Sequence, residues 1–144
     1  MKFSDVESST WNELKPYVDT CLLPVTGLTG DEEPWEATRA LEALRDALDC
    51  FEIPYKGRVL TYPAFHYIEG EEDMALLAGV VRRLKERFPY VVVISAEAEG
   101  LEQLASDEQH ADLVFVLSPE QLSTSMPEIK EKIAVSLQTL WTGM

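Results

Sequence analysis

The residue types that could bind a ligand or carry out chemistry are concentrated in segments that follow predicted strands. They form one candidate ligand-binding pocket, which consists of Thr26, Thr29, Asp31, Tyr62, His66, Ser95 and Glu97. Carboxylate and imidazole groups bind zinc, manganese and iron, so Asp31, His66 and Glu97 are the candidate metal ligands. The same pattern suits solvated carboxylates with the His66 ring packed between Phe65 and Tyr67. We predict a binding pocket without catalytic residues or a cofactor, and a divalent metal site is the alternative.

Nucleophilic catalysis has little support in the sequence. Cys21 is predicted to lie in the middle of a strand rather than at an exposed loop. The hydroxyl of Ser95 has no evident general base other than His66, whereas an activated nucleophile needs an adjacent base. The sequence therefore predicts no nucleophile with its base.

The two glycines of the first loop, Gly27 and Gly30, do not form a nucleotide-binding motif. Their spacing matches neither G-x-G-x-x-G nor the P-loop pattern. The three carboxylates of residues 31–33 would also place negative charge beside a phosphate. These carboxylates better suit the positive end of the helix that Pro34 begins. A nucleotide site is therefore not predicted.

The chain is strongly acidic. It has 26 acidic and 12 basic side chains among 144 residues, which gives a formal net charge of −14. This charge repels nucleic acid and anionic lipid surfaces at long range, so we expect no nucleic acid partner. The dense basic stretch at residues 82–87 suits a last helical turn, where cations favour the carbonyl end of the helix. It also suits a docking patch for an acidic partner or a phosphate, and both interpretations stay open.

The sequence predicts neither export nor membrane insertion. Residues 1–7 turn acidic at once and lack the apolar core of a signal peptide. No run approaches the roughly 20 apolar residues that cross a bilayer. The cytoplasm is therefore the expected compartment. Cys21 and Cys50 have no paired motif spacing and are expected to be free, buried thiols.

Strands and helices alternate along the chain. Apolar runs rich in β-formers predict strands at residues 18–24, 57–62, 90–94 and 111–117. Amphipathic repeats predict a short amino-terminal helix, a helix that ends near 88, and helices at 34–51, 101–105 and 126–141. This alternation predicts an α/β three-layer sandwich with a four-stranded, mainly parallel, Rossmann-like sheet in the order 2-1-3-4. No linker divides the chain, so residues 1–144 are expected to form a single domain.

The helix predicted at residues 34–51 has one apolar stripe. Leu41, Leu44, Leu48 and Phe51 recur at alternating spacings of three and four residues. Residues with this spacing share one face of an α-helix, so we expect all four to pack on the sheet.

Residues 14–30, together with Trp11 and residues 34–36, resemble the YpiF-like family of small uncharacterised bacterial proteins. The resemblance extends over essentially the whole chain. That family has no assigned activity, but its genes can lie beside those for a menaquinol:cytochrome c reductase. The resemblance therefore implies a role accessory to respiratory-complex biogenesis.

Residues 22–25 and the loop after them resemble the motif L-P-V-G-S-x-E-x-H-G, with which the creatininase-like metal-dependent amidohydrolases begin. Residues 62–67 are similar to the second strand-end loop of that family, and residues 83–100 to its helix, strand and N-G-H-G-G-N loop. The resemblance implies a creatininase-like fold in which most metal ligands are replaced. At or near the family's metal-binding positions, this sequence has Thr29, Asp31 and Glu97.

We therefore expect a cytosolic, non-catalytic domain that binds an unknown protein partner or a small molecule. The alternative is a divergent metal-dependent amidohydrolase, related to creatininase, that uses Asp31, His66 and Glu97. A second copy of the chain, giving a homodimer, also stays open as the partner. The metal content of protein purified without chelator distinguishes the two functions.

Overall fold

Four parallel strands form the centre of the fold. The computed structural model describes residues 1–66, 70–98, 100–105 and 111–143. The strands are β1 (Thr20–Val25), β2 (Val59–Thr61), β3 (Tyr90–Ser95) and β4 (Leu113–Val116). They pair in the order β2-β1-β3-β4, and every pair is parallel. The predicted sheet and its strand order are therefore confirmed.

Among the described residues, five α-helices and two 3₁₀ turns flank the strands. The α-helices are α1 (Ser8–Leu14), α2 (Pro34–Glu52), α3 (Gly70–Lys85), α4 (Pro119–Thr124) and α5 (Met126–Thr142). The 3₁₀ turns are Phe3–Asp5 and Leu101–Ala105. α3 ends three residues before the predicted end at residue 88, because turn residues separate it from Pro89. None of these helices is both long and apolar enough to cross a membrane.

The helices cover both faces of the sheet, as expected for an α/β sandwich. Successive strand residues point to opposite faces. Leu23 and Val93 pack with α3 and the amino-terminal segment. Leu22 and Val92 pack with α2, α4 and α5 on the opposite face. Burial on both faces explains why β1 and β3 read as continuous apolar runs.

One residue of the predicted stripe on α2 does not face the sheet. Leu44, Leu48 and Phe51 are buried as predicted, but Leu41 is 47% exposed. The buried residues of α2 begin at Ala43, so the first turns of the helix extend beyond the region that other elements cover. The prediction for Leu41 was wrong because periodicity gives the direction of a side chain but not the extent of its packing partner.

The two cysteines are free and buried, as predicted. Burial raises the pKa of the Cys21 thiol to about 12. Burial also raises the pKa of the Cys50 thiol. Since the thiolate is the reactive form of cysteine, neither thiol is an activated nucleophile.

Candidate functional site

The carboxyl ends of β1 and β3 meet at the centre of the sheet. Val25 and Ser95, the last residues of these strands, are paired in register. β2 lies on the other side of β1, so the chain crosses back over the sheet between β2 and β3. In open parallel sheets, ligands bind outside the carboxyl ends of the strands at such a switch point. The loops that begin here contain the predicted residues Thr26, Thr29, Asp31 and Glu97.

A hydrogen bond to Thr26 holds His66 at this edge of the sheet. The Oγ1 atom of Thr26 lies 2.6 Å from Nδ1 of His66. Backbone hydrogen bonds also hold the loop after β2 next to the end of β1. Thr26 N–H donates to the Phe65 carbonyl at 3.0 Å, and Phe65 N–H donates to the Pro24 carbonyl at 2.8 Å. The Thr26 hydroxyl either donates to Nδ1, with the imidazole proton on Nε2, or accepts from Nδ1–H while it donates to the Phe65 carbonyl.

The distance between Thr26 and His66 matches that of a nucleophile and its base. Thr26 is only 5% exposed, however. Its hydroxyl oxygen also accepts a hydrogen bond from the Leu28 N–H at 3.4 Å and lies within 3.4 Å of the Phe65 carbonyl. These contacts give Thr26 a supporting role, in which its hydroxyl orients the His66 ring and the loop after β1.

The acidic loop after β1 is organised around Glu32. The Glu32 carboxylate accepts hydrogen bonds from the Thr29 N–H at 2.6 Å, the Thr29 hydroxyl at 3.1 Å and the Gly30 N–H at 2.9 Å. These bonds, the Thr29 backbone bond first, lower the pKa of the Glu32 carboxyl. We expected the acidic residues to face the start of α2, but Glu32 turns back into its own loop. Thr29 is therefore used within the loop, whereas Asp31 is exposed.

Ser95 has a similar supporting role at the end of β3. Its side chain is fully buried, and its hydroxyl oxygen accepts hydrogen bonds from the Glu97 N–H at 3.4 Å and the Ala98 N–H at 3.1 Å. The loops after β1 and β3 approach each other closely here. A Cβ added at Gly27 would lie only 3.3 Å from the Ala98 Cβ. The Glu97 side chain is exposed above this contact.

Tyr62 packs in the core of the α3 face. Its ring meets the Phe3 ring edge-on, with 5.1 Å between the centroids. Its backbone N–H donates to the Leu22 carbonyl at 2.9 Å, which continues the pairing of β1 with the chain after β2. The structure thus shows a packing role for the ring of this predicted site residue.

The metal ligands proposed from the sequence do not come together as a group. In the described ranges, no three His, Cys, Asp or Glu side chains are placed to hold a metal ion. Catalytic zinc sites usually have about three protein ligands and an open position. Asp31, His66 and Glu97 therefore do not form such a three-ligand group within the described residues. The predicted packing of His66 against Tyr67 lies outside the described residues.

A family model described as "Protein of unknown function (DUF2487)" matches residues 9–139. The chain belongs to this family. No curated protein and no solved structure matches the chain significantly. Membership confirms the predicted relationship to an uncharacterised family across most of the chain. The YpiF-like and creatininase-like relationships stay predictions.

In this member of the DUF2487 family, the sequence did not predict two grooves that the described residues form. The larger, which we call the amino-terminal groove, has a volume of about 760 Å³, and its apolar residues are Phe3, Val6, Trp11, Leu60 and Phe88. The smaller, of about 490 Å³, lies between α2, α4 and α5 and includes Cys50 and Met126. Each groove combines residues from several separate elements, so no local pattern marks it. The available signal was the recurrence of the apolar residues Phe3, Val6 and Trp11 in the amino-terminal segment.

Proposed function

We propose that the protein is a non-catalytic binding domain, and that a small ligand or a protein partner binds at the carboxyl edge of its sheet. The strand order β2-β1-β3-β4 carries this proposal, since it puts the switch point between β1 and β3. This is where open α/β sheets bind their ligands.

The division of roles at this edge also supports binding rather than catalysis. The hydroxyls of Thr26, Thr29 and Ser95 are hydrogen-bonded to neighbouring loop atoms. The carboxylates of Asp31 and Glu97 are exposed on the same edge. An edge with supported loops and exposed carboxylates suits a ligand that carries hydrogen-bond donors or positive charge. We therefore propose Asp31, His66 and Glu97 as the contact residues, supported by Thr26, Thr29, Tyr62 and Ser95.

Ligand-observed NMR with the whole chain tests this proposal. The probes are mixtures of amines, amino acids, carboxylic acids and nucleotides. We expect at least one binder to be lost in the Asp31→Asn/Glu97→Gln variant. The matched control, Glu13→Gln/Glu42→Gln, removes two exposed carboxylates from helices and should keep that binder. Binding that survives the first variant would contradict the proposal, and the absence of any binder would contradict its small-ligand form.

We also propose, from the resemblance to the YpiF-like family, that binding serves respiratory-complex biogenesis in the cytoplasm. The test is the amount of assembled menaquinol:cytochrome c reductase in cells that lack the protein. The wild-type chain should restore assembly, and the Asp31→Asn/Glu97→Gln variant should not. Normal assembly without the protein would contradict this role.

A second candidate function is a divergent metal-dependent amidohydrolase related to creatininase. One observation favours it: an imidazole that binds metal usually has its other ring nitrogen fixed by a hydrogen bond, and Thr26 holds Nδ1 of His66 at 2.6 Å. Asp31 and Glu97 do not complete a ligand group with His66 in the described part of the chain, so this function ranks second. Hydrolysis of cyclic amides after incubation with zinc or manganese, lost on Asp31→Ala, would favour it.

A further inference from the structure

One stripe of residues on α3 points away from the core. Its members recur at spacings of four, three and four residues, which places them on one side of the helix. They are Glu72, Leu76, Gly79 and Arg83. The residues of α3 that pack in the core, such as Val81, lie on the opposite side. We call this stripe the outer face of α3.

The middle of the outer face consists of an exposed leucine and a glycine. Leu76 is 62% exposed. Gly79 lies within the helix, where glycine is less favourable than alanine. The atoms nearest to a Cβ added at Gly79 would be the flexible ends of Arg82 and Arg83, at an ordinary contact distance of 3.6 Å. The isolated chain therefore does not require a glycine at this position.

The two ends of the outer face carry opposite charges. Glu72 lies in the acidic first turn of α3, and Arg83 lies in its basic last turn. Neither forms a salt bridge with a residue that the structure describes. Such charges are favourable at helix ends by themselves, so they indicate a partner only through their positions relative to Leu76 and Gly79.

These positions make the outer face complementary to itself. α3 spans Gly70–Lys85, and Leu76 and Gly79 are equally far from its midpoint. Glu72 and Arg83 are also equally far from it. When two copies of α3 pack antiparallel about a two-fold axis at the midpoint, each position faces its counterpart in the other copy. Leu76 then lies over Gly79, which lets the two helices approach closely, and Glu72 lies beside Arg83.

We propose that the outer face of α3 is an interface between two copies of this chain, in which the α3 helices pack antiparallel. A second copy fits this face because one surface supplies the leucine, the glycine and both charges in register. The net charge of −14 on each copy opposes association at long range. At physiological salt the Debye length is about 8 Å, so the contacts across the face determine the outcome. One helix from each copy gives a small interface, and we therefore expect a weak dimer.

Sedimentation velocity of the whole chain tests the inference, in about 0.15 M salt and from about 1 µM to about 1 mM protein. The wild type should change from monomer to dimer as the concentration rises. Arg83→Glu should weaken dimerisation about tenfold or more, because it places carboxylates against each other at both ends of the interface. The double reversal Glu72→Arg/Arg83→Glu should restore dimerisation to within about threefold of the wild type, because the opposite charges face each other again.

This rescue separates an interface from an effect on the helix itself. Positions 72 and 83 of one helix are about 16 Å apart along its axis, so the reversed side chains cannot pair within one copy. The double reversal also opposes the helix dipole at both ends, so an effect on the helix alone would make it the poorest variant. The matched control, Lys132→Glu, makes the same change in net charge at an exposed position of α5. It should change dimerisation by less than about twofold.

Gly79→Leu tests the apolar middle of the interface. Leucine is a good helix former, so the free energy of unfolding at low protein concentration should not fall. Dimerisation should weaken about tenfold or more, because the added side chain occupies the position of Leu76 from the other copy.

Three results would overturn the inference. They are a wild-type chain that stays monomeric at every concentration, a dimer that Arg83→Glu leaves unchanged, and a double reversal that does not restore dimerisation. The interface is separate from the proposed ligand site, and neither proposal depends on the other. The Asp31→Asn/Glu97→Gln variant should therefore dimerise like the wild type, whether or not it has lost a ligand.

Discussion

The two ends of the sheet are held together in different ways, and the amino end has contacts between distant parts of the chain. The Arg58 guanidinium donates two hydrogen bonds to the Asp19 carboxylate, at 3.1 and 3.0 Å. The same guanidinium lies 3.8 Å from the centre of the Trp141 ring. The Trp141 indole N–H donates a 2.8 Å hydrogen bond to the Thr20 hydroxyl. These contacts connect the starts of β1 and β2 with the end of α5.

The carboxyl edge is held by hydrogen bonds within its loops and between the loops after β1 and β2. Glu32 and Ser95 form hydrogen bonds within their own loops, and the bond from Thr26 to His66 joins neighbouring loops. In the part of the chain that the structure describes, no salt bridge involves the loops after β1, β2 or β3. The comparison indicates that the amino end fixes the fold, whereas side chains of the carboxyl edge can change at a smaller cost in stability.

The largest expected effect comes from Trp141→Ala at the amino end. This variant removes the contact with Arg58 and the hydrogen bond to Thr20. We expect it to lower the free energy of unfolding by about 2–3 kcal/mol, below the range for a fully buried tryptophan because Trp141 is half-buried. Urea denaturation measures the change, and a single transition is expected if residues 1–144 form one domain. The control Trp35→Ala, at a residue that is 58% exposed, should cost about 0.5 kcal/mol or less. An equal decrease in the free energy of unfolding for Trp141→Ala and Trp35→Ala would show that the contacts of Trp141 at the amino end do not stabilise the fold more than an exposed side chain does.

This comparison also shows what the sequence could and could not predict. The strands and the helices followed from local patterns, because apolar runs and helical stripes are short-range signals. The strand order was a guess based on the usual crossovers of parallel sheets, and the structure confirms it. The contact of Trp141 with Thr20 joins residues 121 positions apart, and no pattern in one sequence marks such a pair. The role of Glu32 was also missed, since charge predicted a partner at the start of α2 and the nearer N–H groups of Thr29 and Gly30 bind it instead.

An alkaline titration measures the stability of the region between the two ends of the sheet, because the Cys21 thiol lies within β1. Its folded pKa of about 12 is above the ordinary value of 9.0. The resulting stabilisation is complete below the ordinary pKa and is lost as the pH rises toward the folded pKa. At a pH of about 10.5 this thiol should lower the free energy of unfolding by about 2 kcal/mol relative to neutral pH.

The test compares urea denaturation at neutral and alkaline pH for Cys21→Ala and the control Cys50→Ala. Between neutral and alkaline pH, the free energy of unfolding of the Cys21→Ala chain should fall less than that of the wild type. The control Cys50→Ala retains the Cys21 thiol, so its free energy of unfolding should still show the alkaline decrease that this thiol causes. An identical alkaline loss in Cys21→Ala and the wild type would show that this thiol does not titrate with unfolding.

A smaller effect is expected for Thr26→Val at the carboxyl edge. The substitution removes the hydroxyl that holds His66 and nearly conserves volume. One hydrogen bond contributes about 1 kcal/mol to stability, so the loss should be well below that of Trp141→Ala. Thr38→Val is the control, because the Thr38 hydroxyl donates to the Pro34 carbonyl on an exposed helix surface. A loss larger than that of Trp141→Ala would reverse the proposed difference between the two ends.

The central claim is that the carboxyl edge is a ligand-binding site and not a metal-dependent catalytic site. Metal analysis of protein purified without chelator tests this claim most directly. We predict no stoichiometric zinc, manganese or iron, since Asp31, His66 and Glu97 do not form a three-ligand group in the described residues. Weak millimolar binding of cations to the exposed carboxylates is compatible with this prediction. About one transition metal ion per chain, lost on Asp31→Ala or His66→Ala, would contradict the account and favour the metal-dependent hydrolase.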